Sequence, residues 1–453
     1  MKRFSKILIA NRGEIAVRLI RTCRVMGIKT VLAASEADKD SLAARLADET
    51  VIIGGPGVAT YLDIPAIIQT AKDVGAEALH PGYGFLAEQP ELPEACKKAG
   101  VVFIGPKTEN IVNMGNKLVA RSLAEKSGVP CLPGSEKVNS FEDVLDVVGE
   151  IGFPVMLKAA AGGGGRGMKI VSEENKGKLE QAFNEASAES RAAFGDSSLF
   201  VEKYIAHARH IEVQIIGDKY GNVVHLGERD CSTQRRHQKL IEEAGAPNIT
   251  EKLRKELHAS AVKLGEFIGY ESAGTVEFLV DQDSGKFYFL EVNTRVQVEH
   301  PVTEEVTGVD LIEEMINVAA GEKLSFSQEE ITFSGHAIEC RINAEIAEEN
   351  FRPTPGKITR WEIPQGPGIR VDSHCYVGYT IPIFYDSLIG KLIVHGRNRD
   401  HAIRKMLAAL DEFAVEGIST TVSFHHKFIS TPDFKAGKVH TRLLEDKLQH
   451  ILQ

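Results

Sequence analysis

The chemistry in this 453-residue chain concentrates in one stretch, running from Gly274 through Glu277 and Asp281 to Glu291, Asn293, Arg295, Gln297 and Glu299. Between its two apolar runs, Asp283-Ser284-Gly285 suits a three-residue hairpin loop with Gly285 in the left-handed conformation. Glu277 and Glu291 stand equally far from Ser284, so that register sets them face to face. Two carboxylates about 5 Å apart repel by roughly 3 kcal/mol at an effective dielectric of about 20. A cation between them relieves this, and hard oxygen ligands suit Mg²⁺ or Mn²⁺. A two-residue loop would put the acids on opposite faces and remove the reason for a metal. Continued at a period of two, Glu291, Asn293, Arg295, Gln297 and Glu299 share one face. The preceding Phe287-Tyr288-Phe289-Leu290 run reads as buried on both faces, so the polar row is expected to face a cavity. The other reading is an edge strand with a solvated polar side.

Lys158 introduces a second segment, Gly162-Gly163-Gly164-Gly165-Arg166-Gly167, flanked by strand-like runs. It lacks the GK[ST] and following helix of a Walker loop. Bare glycine N–H groups over a cleft can lie against phosphates, with Lys158 as a fixed charge; a ligand-free hinge is the alternative. A third segment, from Glu228 to Lys239, packs Arg235, Arg236, His237 and Lys239 together, which reads as an anion trap or as a solvated basic turn. Arg341, in an apolar strand pattern, and Tyr83, in the loop His80-Pro81-Gly82-Tyr83, are weak signals taken alone.

The elements that must position these groups follow from hydrophobic periodicity. Strands over 6–10, 29–34, 50–53 and 101–104, with a helix over 14–26, predict a parallel, doubly wound α/β sheet. Strands over 153–158 and 168–171 and a helix over 178–193 predict a small α/β lobe ending near Tyr204. Residues 211–298 read as strand-rich, with a helix over 309–320. A third region opens with a strand over 336–343 and closes on a helix over 401–413. The first turn holds no GxGxxG, which argues against a dinucleotide site.

Composition bounds the function. With 43% hydrophobic and 26% charged residues the chain is globular rather than disordered. A net charge of −10 argues against nucleic acid and anionic lipid as partners. Six scattered cysteines without a CxxC pair argue against zinc and a secreted disulfide framework. No stretch reads as a signal peptide or a membrane span, so a cytoplasmic location is expected.

Five segments in order resemble biotin carboxylases over essentially the whole chain. They are Ile9 to Ala16, His80 to Leu86, Lys158 with its glycine loop, Glu228 to Lys239, and Glu291 to Pro301. The resemblance implies an ATP-grasp fold in three regions. These are an N-terminal Rossmann-like domain (1–115), an ATP-grasp domain (116–330) with a glycine-lid subdomain over about 131–204, and a C-terminal mixed α+β domain (331–453). It implies that ATP, bicarbonate and carrier-bound biotin give ADP, phosphate and carboxybiotin. Lys117, Lys158, Gly164, Gly165, Glu202, Lys203, Tyr204, Ile205, His210, Gln234 and His237 would then bind ATP together with Glu277 and Glu291. Glu277, Glu291 and Asn293 would hold two Mg²⁺ or Mn²⁺ ions. Lys239, Arg295, Gln297, Val298 and Glu299 would bind bicarbonate, with Glu299 as general base and Lys239, Arg295 and Arg341 catalytic beside it. Tyr83 and Arg341 would meet biotin.

The resemblance further implies a biotin carboxyl carrier protein, a carboxyltransferase and a second copy of this chain as partners, most simply within acetyl-CoA carboxylase. Pyruvate, propionyl-CoA and 2-oxoglutarate carboxylases, or another ATP-grasp carboxylate ligase, are the alternatives. Ala161 stands where members of the family extend the lid's glycine run. Val25 and Pro367 replace an acidic and an aromatic residue at the two-fold contact, where Arg18, Arg21 and Arg370 are retained. The closest approach to a biotin acceptor, Gly167-Met168-Lys169-Ile170, lies inside the lid, so carrier and transferase are expected on separate chains.

Overall fold

The computed structural model describes residues 4–135, 137–159 and 168–452. Strands Lys6–Ile9, Lys29–Ser35, Glu49–Gly54, Ala78–His80 and Val102–Phe103 form one parallel sheet, in spatial order third, second, first, fourth, fifth. Helix Gly13–Val25 follows the first strand and buries Ile15, Leu19 and Ile20 in the core beside it. The order reverses next to the first strand, and it is at the carboxyl ends of such strands that α/β sheets bind ligands. Residues 11–14 and 81–83 leave the sheet there. Asn11 ties the two turns together, its Nδ2 donating to the carbonyls of Pro81 at 2.6 Å and Tyr83 at 2.8 Å. Only glycine fits at position 82. Its φ is +62°, and a Cβ would meet the Asn11 amide at 2.9 Å.

Strands Lys169–Val171, Val155–Ala159 and Leu199–Lys203 make a small antiparallel sheet. Helices Phe141–Ile151 and Leu179–Phe194 accompany it, around a separate core containing Val144, Val155, Leu157 and Val201. Ala161, Gly164 and Gly165 lie outside the described residues.

The main sheet is antiparallel and eight-stranded. Its order is Phe287–Asn293, Ser272–Asp281, Ala208–Gly217, Val223–Arg235, Gln238–Ala244, His336–Asn343, Leu388–Gly396 and Ile369–Ser373. Pairing of Gln238–Ala244 with His336–Asn343 carries it unbroken across residue 330. Two helices interrupt the stretch read as strand-rich and its continuation. Glu251–Phe267 begins where Thr250 Oγ1 accepts from the Leu253 amide, and buries Leu253, Leu257, Ala261 and Leu264. Their spacing of three and four residues is helical, a signal that the sequence reading passed over. His300–Thr307 begins directly after Glu299, so the polar row is not strand to its end.

Arg18 and Arg370, expected at a two-fold contact, converge within the chain on Glu304 at 2.9 and 2.8 Å. Arg21, Val25 and Pro367 are exposed. All six cysteines are free. No helix among the described residues is long and apolar enough to cross a membrane.

Candidate active site

A cavity of about 1290 Å³ opens between the turns of the N-terminal sheet, the small sheet and one face of the main sheet. Every described residue that the resemblance assigns to the site lines it.

The acid pair occupies its floor. Glu277 and Glu291 are register partners, as the spacing predicts, but by a different route. The hairpin closes one residue out of that register, with Val280 opposite Phe287 and Phe278 opposite Phe289. A β-bulge then takes up Leu290 and brings Glu291 opposite Glu277. Gly285 is left-handed, φ +67°. The Phe287–Asn293 strand is an edge strand, with Phe287 and Phe289 buried and Tyr288 and Leu290 half-buried. The expectation of burial on both faces therefore fails. The polar side nevertheless faces the cavity rather than bulk water.

Side-chain cations already meet one acid. Glu277 Oε1 accepts from Lys239 Nζ at 3.0 Å, Asn293 Nδ2 at 2.8 Å and Gln297 Nε2 at 2.9 Å. Its Oε2 lies 2.9 Å from His210 Nε2. Burial opposes ionisation of Glu277, but Lys239 and His210 outweigh it and hold its pKa well below the usual range. Glu291 differs. Its carboxylate has no hydrogen-bond donor among the described residues, and burial and the facing Glu277 raise its pKa. An acid short of positive charge, beside a second carboxylate and the Asn293 amide, is a hard-oxygen donor set that fits Mg²⁺ or Mn²⁺.

Lys239 Nζ also touches Glu212 at 2.6 Å and Glu299 Oε1 at 2.7 Å. Arg341 Nη2 reaches Glu299 Oε2 at 2.9 Å, while its Nε donates to Glu242 at 2.6 Å. Burial works against the Glu299 charge, but Lys239, Arg341 and Arg229 hold its pKa well below the usual range. Glu299 is thus an ionised carboxylate between two cations. Tyr83 donates its hydroxyl to Glu14, whose carboxylate also meets Lys391.

The chain leaves strand conformation after Asn293, so alternation does not aim Arg295, Gln297 and Glu299. Side chains do. Arg229, fully buried, donates to Glu212 at 2.5 Å, Gln214 at 2.7 Å, Thr303 at 3.0 Å, Thr275 at 3.1 Å and Gln297 at 2.8 Å. Glu88 accepts from Arg295 Nε at 2.8 Å and from the Thr294 amide at 3.0 Å. Lys391 Nζ donates to the Val298 carbonyl at 2.7 Å. Sequence reasoning missed Arg229, Glu88 and Glu242. Arg229 lay inside a quoted motif, whereas nothing local marks the other two.

At the opposite end, Lys158 Nζ meets Glu202 at 2.5 Å. The Lys203 ammonium is spent on the carbonyls of Ile151, Gly152 and Phe153, and Lys203 lines the cavity together with Ile205. Tyr204 accepts from Arg442 at 3.1 Å. Lys117 opens the helix Lys117–Lys126, and its charge acts on Glu291. Arg236 and His237 form a two-residue turn with φ of +50° and +65°. Gln234 and Lys239, opposite each other across it, share the cavity face. Arg235 instead binds Asn350 and stacks over Phe351 at 4.6 Å, and Arg236 is exposed. The four-membered anion trap therefore reduces to His237 and Lys239.

Residues 3–111 match the family model described as biotin carboxylase, N-terminal domain, and 339–446 the biotin carboxylase C-terminal domain. Residues 116–327 match the carbamoyl-phosphate synthase L chain, ATP binding domain. A biotin carboxylase from Nostoc sp. is 51% identical over 98% of this chain and 99% of its own length. The chain belongs to the biotin carboxylase family. A pyruvate carboxylase subunit from Methanothermobacter thermautotrophicus is likewise 51% identical, over 98% of this chain and 90% of its own. Among solved structures, the biotin carboxylase domain dimer of Hydrogenobacter thermophilus 2-oxoglutarate carboxylase, in complex with MgADP, ADP and bicarbonate, superimposes with a TM-score of 0.93. It is 46% identical and covers 100% of this chain and 99% of that one. The chain is an ATP-dependent ligase of the ATP-grasp fold.

Proposed function

We propose that this chain carboxylates biotin on a carrier protein, using ATP and bicarbonate, with Arg295, Glu299, Lys239 and Arg341 as its catalytic residues. The observation that carries the reading is the Glu299 carboxylate, ionised and held between Lys239 at 2.7 Å and Arg341 at 2.9 Å in the wall of the cavity. A base kept charged by two cations can take the proton of bicarbonate and leave both cations beside the resulting anion. Lys239, Arg295, Gln297 and the Val298 amide hold bicarbonate in line with the γ-phosphate. Lys117, Lys158, His210, Gln234, His237 and residues 202–205, with Gly164 and Gly165, bind ATP. Glu277, Glu291 and Asn293 hold the divalent ions, which supply charge neutralisation at the phosphates when bound. Released phosphate is the base for biotin, and Arg341 neutralises the ureido oxygen as negative charge gathers there, with Tyr83 beside it.

The carrier and a carboxyltransferase are the partners, and the working unit is a homodimer, the form named for the Hydrogenobacter domain. Acetyl-CoA is the acceptor we favour. Equal identity to the Methanothermobacter pyruvate carboxylase chain supports pyruvate as the second reading. ADP release by the purified chain tests the reaction. It is expected to require bicarbonate and to rise with free biotin. Arg341→Ala should abolish biotin carboxylation while retaining bicarbonate-dependent ATP cleavage; unchanged carboxylation refutes the role of Arg341. The carboxyltransferase that co-purifies with the chain identifies the acceptor.

A further inference from the structure

Behind Arg341 lies a second pair of facing acids that the reaction does not use. Glu242 and Glu339 are register partners on adjacent antiparallel strands, and both are 0% exposed. Their Cβ atoms are therefore about 5 Å apart on one face of the sheet. Arg341, two residues beyond Glu339, shares that face and donates to Glu242 Oε1. Glu242 Oε2 and both carboxyl oxygens of Glu339 have no hydrogen-bond partner among the described residues.

We propose that Glu339 is a positioning residue for the biotin step: it and Glu242 share one proton, which leaves a single negative charge behind Arg341 instead of two. The proposal rests on the reading of Arg341 as the biotin-facing cation. Without that proton, one guanidinium faces three carboxylates, those of Glu242, Glu299 and Glu339. The neighbouring cations among the described residues are engaged elsewhere. Lys391, on the neighbouring strand, is committed to Glu14 at 3.1 Å and to the Val298 carbonyl. Lys239, on the Glu242 strand, is bonded to Glu212, Glu277 and Glu299. His300, on the helix after Glu299, is buried and kept neutral, burial and then Lys391 lowering its pKa. The helix Arg399–Glu412 packs its apolar residues Ala402, Ile403 and Met406 into the core with Ile338, Cys340 and Ile342, the other side of the same strand.

Buried carboxylates without donors take up a proton rather than remain charged. Burial pushes Glu242 up to about 7. Burial also raises Glu339 well above its ordinary value, opposed by Lys391 and reinforced by Glu242. The shared proton is present at neutral pH and leaves as pH rises. The doubly charged pair then competes with biotin for Arg341, whereas bicarbonate-dependent ATP cleavage, which needs Lys239, Arg295 and Glu299, continues.

Two measurements on the full chain test this separately from the function itself. Infrared spectroscopy should show the deuterium-sensitive carbonyl stretch of a buried protonated carboxyl at neutral pH, lost in Glu339→Gln. Biotin-dependent turnover should fall on the alkaline side while ATP cleavage persists, and Glu339→Gln should remove that fall. Glu242→Gln should move it, which provides a second variant if the first does not fold. Absence of the carboxyl band in the unmodified protein, or an alkaline limb that neither variant moves, overturns the proposal. A chain with the band but no biotin-dependent activity would instead sink the functional reading.

Discussion

Arg295 sits where the strand has ended, and Glu88 is the group that holds it. Glu88 reaches across from the loop after the fourth parallel strand and accepts three bonds, from Arg295 Nε at 2.8 Å, the Thr294 amide at 3.0 Å and Thr294 Oγ1 at 3.4 Å. Glu88→Ala removes all three without touching the nucleotide end. A charge-assisted bond contributes about 1.5–3 kcal/mol and a neutral one about 1 kcal/mol. The Glu88 side chain is 38% exposed, so solvent screening must be discounted. A net loss of about 1–2 kcal/mol is appropriate. That corresponds to a five- to thirty-fold drop, roughly, in kcat/KM for bicarbonate. The assay is steady-state ADP release with bicarbonate varied at saturating ATP, then the reverse. The KM for bicarbonate should rise while that for ATP stays put. Glu88→Gln keeps one oxygen acceptor, for Thr294, and should recover part of the loss. Equal damage to both substrates, or a Gln variant as impaired as Ala, would show that Glu88 supports the fold at large rather than the placement of Arg295.

Two further outcomes test the acids. Glu291→Gln should raise the Mg²⁺ concentration needed for half-maximal ATP cleavage, because it removes the carboxylate least supplied with positive charge; an unchanged Mg²⁺ titration counts against the donor set. Glu243 is buried, and hydrogen bonds from His336 and Arg399 outweigh burial and push its pKa down from 4.5 to about 2. The unfolded carboxyl binds its proton first as pH falls, so this stabilisation, about 3 kcal/mol, is complete above the unfolded value and disappears toward pH 2. Glu243→Gln should therefore flatten the acid dependence of the urea midpoint, and an unaltered slope would refute it.

Four of the five parallel strands, two of the three strands of the small sheet and the facing acids were legible from apolar runs and spacing, whereas the short strands Ala78–His80 and Leu199–Lys203 were not. The acids also show the limit of such reading. Symmetry about Ser284 leads to the right pair, yet the hairpin closes one residue off and the Leu290 bulge makes up the difference. A bulge has no signature in the apolar–polar pattern, since it breaks the very period by which strands are read. Spacing separates inward from outward groups only while a ladder lasts. Around the turn at Arg236 and His237 the register partners Lys239 and Gln234 both line the cavity, while Arg235 turns to Asn350. Past Asn293 there is no ladder, and the polar row keeps its aim through partners far away in the chain. Arg295 is held by Glu88 across 207 residues, Gln297 by Arg229 across 68, and Glu299 by Arg341 across 42. Residue types therefore point to the groups proposed for the chemistry, while the groups that orient them are visible only once the strands have met. Glu88 and Glu242, acidic residues with no motif of their own, belong to that second class, and substitutions there should alter substrate preference before they abolish turnover.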